Sequence, residues 1–265
     1  MVTLGLIHAF QGLIPNVGYM KPIGQRYGEG KPFDEDALLV REILGLADPP
    51  NDINPASILE AQQDRDRLFE RIFDAYRRIS AGKDLVIIEG TDYTSAISAL
   101  EFDINAELAH NLQAPVLVVA SGLRAGGMGK SIQAIAENLA EVTDSFRRAN
   151  CHLLGAIVNR FYTEDFEKDA AALRHALESK GIPLFGAVPP NPVLAAPRLR
   201  EVADKLGAKI VYQGDALTKT VRDVKILAMN PDNALGYIKD KPGCLLITPG
   251  DRDDNILAVI SAQRS

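Results

Sequence analysis

Four short apolar runs constrain this chain most. Asp84-Leu85-Val86-Ile87-Ile88, Pro115 to Ala120, Leu154 to Val158 and Leu184 to Val188 are almost uninterrupted in apolar residues. A strand with one face in water alternates apolar and polar; a continuous run marks a strand covered on both faces. Helical patterns separate the runs. One is amphipathic from about Asp64 to Ala81, another begins near Ser131, and a third covers Phe166 to Ser179. Strands alternating with helices predict an α/β fold with a doubly wound, mostly parallel sheet. Ligands in such sheets bind at the carboxyl ends of the strands. The residues that follow each strand are therefore the first candidates for function.

The chain opens on a further piece of the same pattern. Val2, Leu4, Leu6, Ile7, Ala9, Phe10 and Leu13 recur at helical spacing, and Gly18-Tyr19-Met20 then forms a short strand ending in Lys21-Pro22. A helix feeding a strand is the second half of a βαβ unit. The periodicity starts at Met1 without a Ser, Thr, Asp or Asn cap ahead of it. The sequence therefore predicts that a strand and a glycine-rich phosphate loop precede Met1 in the full reading frame, as they do before such helices in nucleotide-binding proteins. A central strand buries about five apolar side chains at about 1.5–3 kcal/mol each. Lacking one would cost roughly 7–15 kcal/mol, as much as the whole stability of a domain.

Along the predicted rim stand Lys21, Glu89 before Gly90, the loop after Ala120, Asn159 before Arg160, and Pro189. Asp34-Glu35-Asp36 leads a helix through about Leu46, where acids suit the positive end of the helix dipole. Each residue has a bland reading: a solvated strand end for Lys21, a turn former for Asn159, a backbone acceptor for Glu89, a dipole partner for Asp36. Several polar groups at one rim, from different strand ends, carry more weight than any one alone. Gly126-Gly127-Met128-Gly129-Lys130-Ser131 imitates a phosphate loop, but the position five before Gly129 holds Arg124 where the motif needs glycine. The bland alternative is a flexible loop with Lys130 in water.

The order and spacing of these segments resemble dethiobiotin synthetase and the N-terminal domain of long-form phosphate acetyltransferases. The carriers are Gly18-Tyr19-Met20-Lys21-Pro22, Asp34-Glu35-Asp36-Ala37, Val86-Ile87-Ile88-Glu89-Gly90 and Gly155-Ala156-Ile157-Val158-Asn159. The resemblance implies a P-loop NTPase-type fold over residues 1–197, with its first strand and phosphate loop absent. It implies a nucleotide-side role for Lys21, an adenine contact for Asn159, and magnesium-associated carboxylates at Asp36 and Glu89. Thr91-Asp92-Tyr93-Thr94 departs from the glycine-rich run of dethiobiotin synthetase. Residues 198–265 form a second, smaller α/β domain, with strands expected at Ile210-Val211-Tyr212, Val224 to Met229 and Cys244 to Thr248 and a helix from Asn255 to Ala262. That part resembles a DRTGG domain cut at its C-terminus, with Asp251-Arg252 at the family's Asp-Arg pair. The bland reading of that pair is a helix cap and a surface ion pair.

Two function classes follow. One is a regulatory module that binds a nucleotide or small metabolite, without chemistry of its own. The other is an ATP-dependent enzyme of the dethiobiotin synthetase type, acting on a carboxylate or amine. The cofactors implied are ATP and Mg²⁺, with weak ATP binding by this chain alone; no catalytic residue is assigned. A net charge of −6 argues against bulk nucleic-acid binding. The apolar N-terminus lacks a basic flank and is too short to span a bilayer, so no membrane role is expected. Cys151 and Cys244 read as free thiols in a reducing, cytoplasmic setting, and a homo-oligomer stays open.

Overall fold

The computed structural model describes residues 2–25, 32–61, 64–91, 98–124, 127–212, 215–231, 233, 236 and 243–262. Asp92-Tyr93-Thr94, Gly126 and most of the Gln25–Pro32 stretch lie outside them. The chain divides into two compact units, Met1–Pro189 and Pro190–Ser265.

The first unit is α/β with parallel strands, as the apolar runs predict. Its elements are α1 (Val2–Gln11), β1 (Val17–Met20), β2 (Ile23–Gly24), α2 (Glu35–Ile43), α3 (Pro50–Ile53), β3 (Ala56–Ser57), α4 (Ile58–Ala61), α5 (Arg65–Ser80) and β4 (Leu85–Ile88). There follow α6 (Ser98–Asn111), β5 (Val116–Ser121), α7 (Ile132–Arg148), β6 (Leu153–Asn159), α8 (Phe166–Glu178) and β7 (Leu184–Val188). Parallel pairs join β1 to β4 and β2 to β3, and β5-β6-β7 form a three-stranded parallel sheet. Among the described residues no ladder links β4 to β5.

Caps and stripes explain the helices. Asp64 accepts from Arg67 N at 3.1 Å to start α5, whose Leu68, Ile72, Ala75 and Ile79 recur at helical spacing and are buried. Ser131 accepts from Ala134 N at 3.2 Å to start α7, which buries Ile135, Leu139, Val142 and Phe146. Each such side chain contributes about 1.5–3 kcal/mol. Two cores result. One gathers α5, β1 and β2 around Tyr19, Met20 and Ile72; the other gathers α7, β6 and α8 around Leu139, Val158 and Leu173. Helix α6 serves both, giving Ile104 and Leu108 to the first core and Ala106 to the second.

The expectation of strands covered on both faces needs correction at β4 and β5. All four residues of β4 are only half-buried, and Val119 of β5 is 48% exposed. Each strand has a hydrogen-bonded neighbour on one side alone among the described residues, which leaves its flank less covered. Helix α1 likewise buries Ile7, while Leu4 and Phe10 pack only partly.

The second unit holds α9 (Pro192–Ala195), α10 (Leu199–Lys205), a 3₁₀ turn (Asp215–Thr218), β8 (Asp223–Ile226), β9 (Cys244–Ile247) and α11 (Asp253–Ala262), with β8 and β9 parallel. The strand expected at Ile210-Val211-Tyr212 does not form; Val211 is 90% exposed and has no ladder partner among the described residues. A β-prone triplet without a neighbour to pair with has no reason to extend. No helix among the described residues is long and apolar enough to cross a membrane.

Candidate functional site

Parallel register sets the site. Val17 lies opposite Leu85 and Met20 opposite Ile88, so Lys21 and Glu89 leave their strands together at the carboxyl edge. Glu89 N donates to Met20 O at 2.8 Å, which extends the pairing by one residue. Lys21 is 4% exposed, a solvated strand end in no sense. Its Nζ donates to Asp34 Oδ1 at 3.0 Å and lies 3.6 Å from Asp36 Oδ2. Asp34 is fully buried and caps α2, accepting from Asp36 N at 3.0 Å, Ala37 N at 3.3 Å and Gln25 N at 2.7 Å. Asn54 closes the knot, accepting from Asp34 N at 2.9 Å and donating to Lys21 O at 2.9 Å.

Tyr19 ties Glu89 to this group. Its hydroxyl donates to Glu89 Oε2 at 3.0 Å from a fully buried ring. Burial foremost, then the Glu89 charge and the hydrogen bond to it, push the phenol well above its ordinary range, with further pushes from Asp34 and Asp36. Three carboxylates thus act on one hydroxyl. Glu89 itself is half-buried, and the side chain of Asp36 is 40% exposed.

Beyond Glu89, the chain is fixed by a helix. Asn105 of α6 accepts from Thr91 N at 3.1 Å and donates to Thr91 O at 3.1 Å and Thr91 Oγ1 at 2.9 Å. A Cβ on Gly90 would come within 2.9 Å of Asn105 Oδ1.

Asn159 stands on the other sheet, opposite Ser121 of β5 and Val188 of β7. Its Oδ1 accepts from the next residue's amide, Arg160 N, at 3.0 Å. The structure therefore brings Lys21, Asp36 and Glu89 together and leaves Asn159 at a separate strand end. Asn54 and Asn105 are site residues that the sequence reading does not name, and it gives Asp34, Tyr19 and Thr91 no site role of their own. Only Asp34 carried a usable signal, as the acid immediately before a helix with apolar spacing.

The described parts of the glycine-rich loop after β5, on either side of residues 125–126, are tied together by backbone hydrogen bonds. Leu123 bridges Gly129 antiparallel, Arg124 N donates to Met128 O, and Lys130 N donates to Gly122 O, both at 2.7 Å. Lys130 is half-buried rather than in open water. A Cβ on Gly122 would lie 2.7 Å from Arg160 O and Phe161 Cα, so this glycine permits two backbones to touch.

In the second unit, Arg252 donates to both oxygens of Asp254 at 2.9 Å and to Met229 O at 3.0 Å. That pairing holds the Asp254 carboxyl below its ordinary range. Arg252 thus takes part in a local ion pair, with Asp254 rather than Asp251 as its hydrogen-bonded partner.

Oxygen donors at Asp36 and Glu89 suit a hard cation. No group of three or more His, Cys, Asp or Glu among the described residues is placed to hold a metal ion. Mg²⁺ does not need one, since one or two carboxylates with phosphate oxygens and water complete its shell. The donor set fits that arrangement and not an all-protein cage.

Parallel strands with polar groups gathered at their carboxyl edge make a ligand-binding type of α/β domain, and the family that it matches is P-loop NTPase-like. An AAA domain family model matches residues 1–198, and the chain belongs to that family. A DRTGG domain model matches residues 201–265. Similar proteins include the phosphate acetyltransferase of Synechocystis sp., 30% identical over 270 residues that span 100% of this chain and 38% of that protein. The phosphate acetyltransferase of Nitrosomonas europaea is 30% identical over 264 residues, 97% of this chain and 36% of its own length. That of Pseudomonas putida is 30% identical over 97% of this chain and 37% of its own. The chain thus spans less than two fifths of the length of these relatives.

Proposed function

We propose that this chain is a regulatory module that binds a nucleotide or small metabolite, related to the N-terminal region of phosphate acetyltransferase and without chemistry of its own. The observation that carries the reading is the cluster of Lys21, Asp34, Asp36 and Glu89 at one strand edge, where Lys21 Nζ is 3.0 Å from Asp34 and 3.6 Å from Asp36. In this reading Asp36 and Glu89 hold Mg²⁺ together with the phosphates of ATP, and Mg²⁺ supplies the positive charge that lets carboxylates and phosphates share a site. Lys21 faces the phosphates and Asn159 the adenine.

A binding role without turnover is supported by the state of Lys21. An ammonium held in place by Asp34 can face a bound phosphate without following a transferred one. Weak affinity for ATP is expected, because the glycine-rich loop after β5 spends the N–H groups of Arg124, Gly127 and Lys130 on its own carbonyls. The two free thiols, Cys151 and Cys244, suit a cytoplasmic setting.

Calorimetric titration of ATP with and without Mg²⁺ tests the reading on the wild type, Asp36→Ala and Glu89→Ala. Both variants should lose the magnesium-dependent part of the affinity and keep the metal-free part. An unchanged magnesium effect in either variant removes that residue from the site.

A further inference from the structure

We propose that Asn105 is the positioning residue of the strand edge, acting through the backbone of Gly90 and Thr91 to fix where the Glu89 carboxylate lies. The proposal rests on the reading of Glu89 as a ligand-side group and adds the device that aims it.

The carboxamide of Asn105 sets an acceptor oxygen beside an N–H donor, the same pair that a peptide group offers across a β ladder. It uses both on one residue, taking Thr91 N at 3.1 Å and giving to Thr91 O at 3.1 Å. Its second N–H reaches Thr91 Oγ1 at 2.9 Å. The β1 ladder ends with Glu89 N on Met20 O, one residue past the paired strand. At Thr91 a side chain on α6 takes over the part of a neighbouring strand. Glu89 is thus held from both sides, by β1 before it and by Asn105 after it.

Gly90 belongs to the same device. A Cβ there would sit 2.9 Å from Asn105 Oδ1 and 3.3 Å from its Cγ. A Cβ at the glycine of the Glu-Gly pair could be fitted only by displacing the Asn105 carboxamide. Asn105 is itself anchored: it is buried, and its neighbours Ile104 and Ala106 belong to the two different cores of the unit. A side chain rooted between two packed cores is a stiff reference point for a strand end.

The hydrogen bond from Tyr19 to Glu89 supplies a readout that needs no ligand. In protein labelled at the ζ-carbon of tyrosine, the Tyr19 resonance, assigned by its loss in Tyr19→Phe, reports whether Glu89 still accepts that bond. Glu89→Gln gives the reference position for a changed acceptor. Asn105→Asp keeps the shape and turns an N–H donor into a second oxygen facing Thr91 O; Gly90→Ala pushes the intact carboxamide away. Both should move the Tyr19 resonance most of the way to the Glu89→Gln position. Leu139→Ala, which cuts the other core, should lower thermal stability and leave the resonance in place. If Asn105→Asp does not fold, Gly90→Ala carries the test. A resonance unmoved in a folded variant, or moved equally by Leu139→Ala, overturns the proposal. Because the signal is read without nucleotide or metal, a failure to bind ATP with Mg²⁺ would count against the proposed function and not against this inference.

Discussion

Removing either partner of the buried Lys21–Asp34 pair should not cost the same. Among the described residues, Asp34→Ala leaves the Lys21 ammonium, 4% exposed, with Asp36 Oδ2 at 3.6 Å as its remaining carboxylate. Breaking a buried ion pair on one side costs about 3–5 kcal/mol. The same substitution strips the cap of α2, which by itself is worth about 0.5–2 kcal/mol. Lys21→Met leaves Asp34 with the amides of Gln25, Asp36 and Ala37, at 2.7, 3.0 and 3.3 Å, and with the positive end of α2. The carboxylate stays solvated by the protein, so the loss is that of one charged hydrogen bond, about 1.5–3 kcal/mol. Urea unfolding at neutral pH measures both. With a slope of about 1–3 kcal/mol per molar urea, Asp34→Ala should lower the midpoint by roughly 1–2 M or more, and Lys21→Met by clearly less. The double variant Lys21→Met/Asp34→Ser, which keeps a capping hydroxyl, should be more stable than Asp34→Ala alone. Equal losses for the two single variants, or a larger one for Lys21→Met, would refute the account of Asp34 as a carboxylate satisfied by backbone amides.

Other outcomes follow from the same geometry. Asp36→Ala, at a half-exposed carboxylate 3.6 Å from Lys21, should cost no more than about 1 kcal/mol in the same urea assay, while removing the magnesium effect on ATP titration. Gly122→Ala puts a Cβ 2.7 Å from Arg160 O and Phe161 Cα and should lower stability by about 1–3 kcal/mol; Gly5→Ala, with nothing within 4 Å, should raise it slightly by calorimetric melting. Tyr19 stays protonated in the fold at a pH where the unfolded chain ionises, so it stabilises below pH 10 and that contribution is lost as pH rises further. Between about pH 10 and 11 the urea midpoint of the wild type should therefore fall more steeply than that of Tyr19→Phe. Parallel slopes would remove Tyr19 from the buried cluster.

What the sequence made legible is what repeats. Continuous apolar runs placed β4, β5, β6 and β7 within one or two residues, and parallel pairing put Lys21 and Glu89 at a common edge. Helix α6 escaped notice because its apolar residues do not form one stripe. Ile104 and Leu108 face one core while Ala106 faces the other, so no single face repeats at helical spacing. Ile210-Val211-Tyr212 erred the opposite way, since local preference cannot supply a neighbouring strand. The hydrogen-bond knot was invisible for a third reason. Asn54 and Asn105 act on backbone groups 20 and 14 residues away, and a polar side chain bonded to distant backbone leaves no period behind.

The shared helix has a consequence for how this unit opens. The two cores of residues 1–189 meet across α6, and among the described residues no strand ladder crosses between them. Such a partition defines two foldons joined by a common strut, each able to unfold at its own free energy. Amide hydrogens of β6 and α7 should then exchange on one schedule and those of β1 and α5 on another. Those of α6 should follow whichever half releases the helix first, and a ligand at the Lys21 edge should slow the β1 and α5 set with α6 in its train.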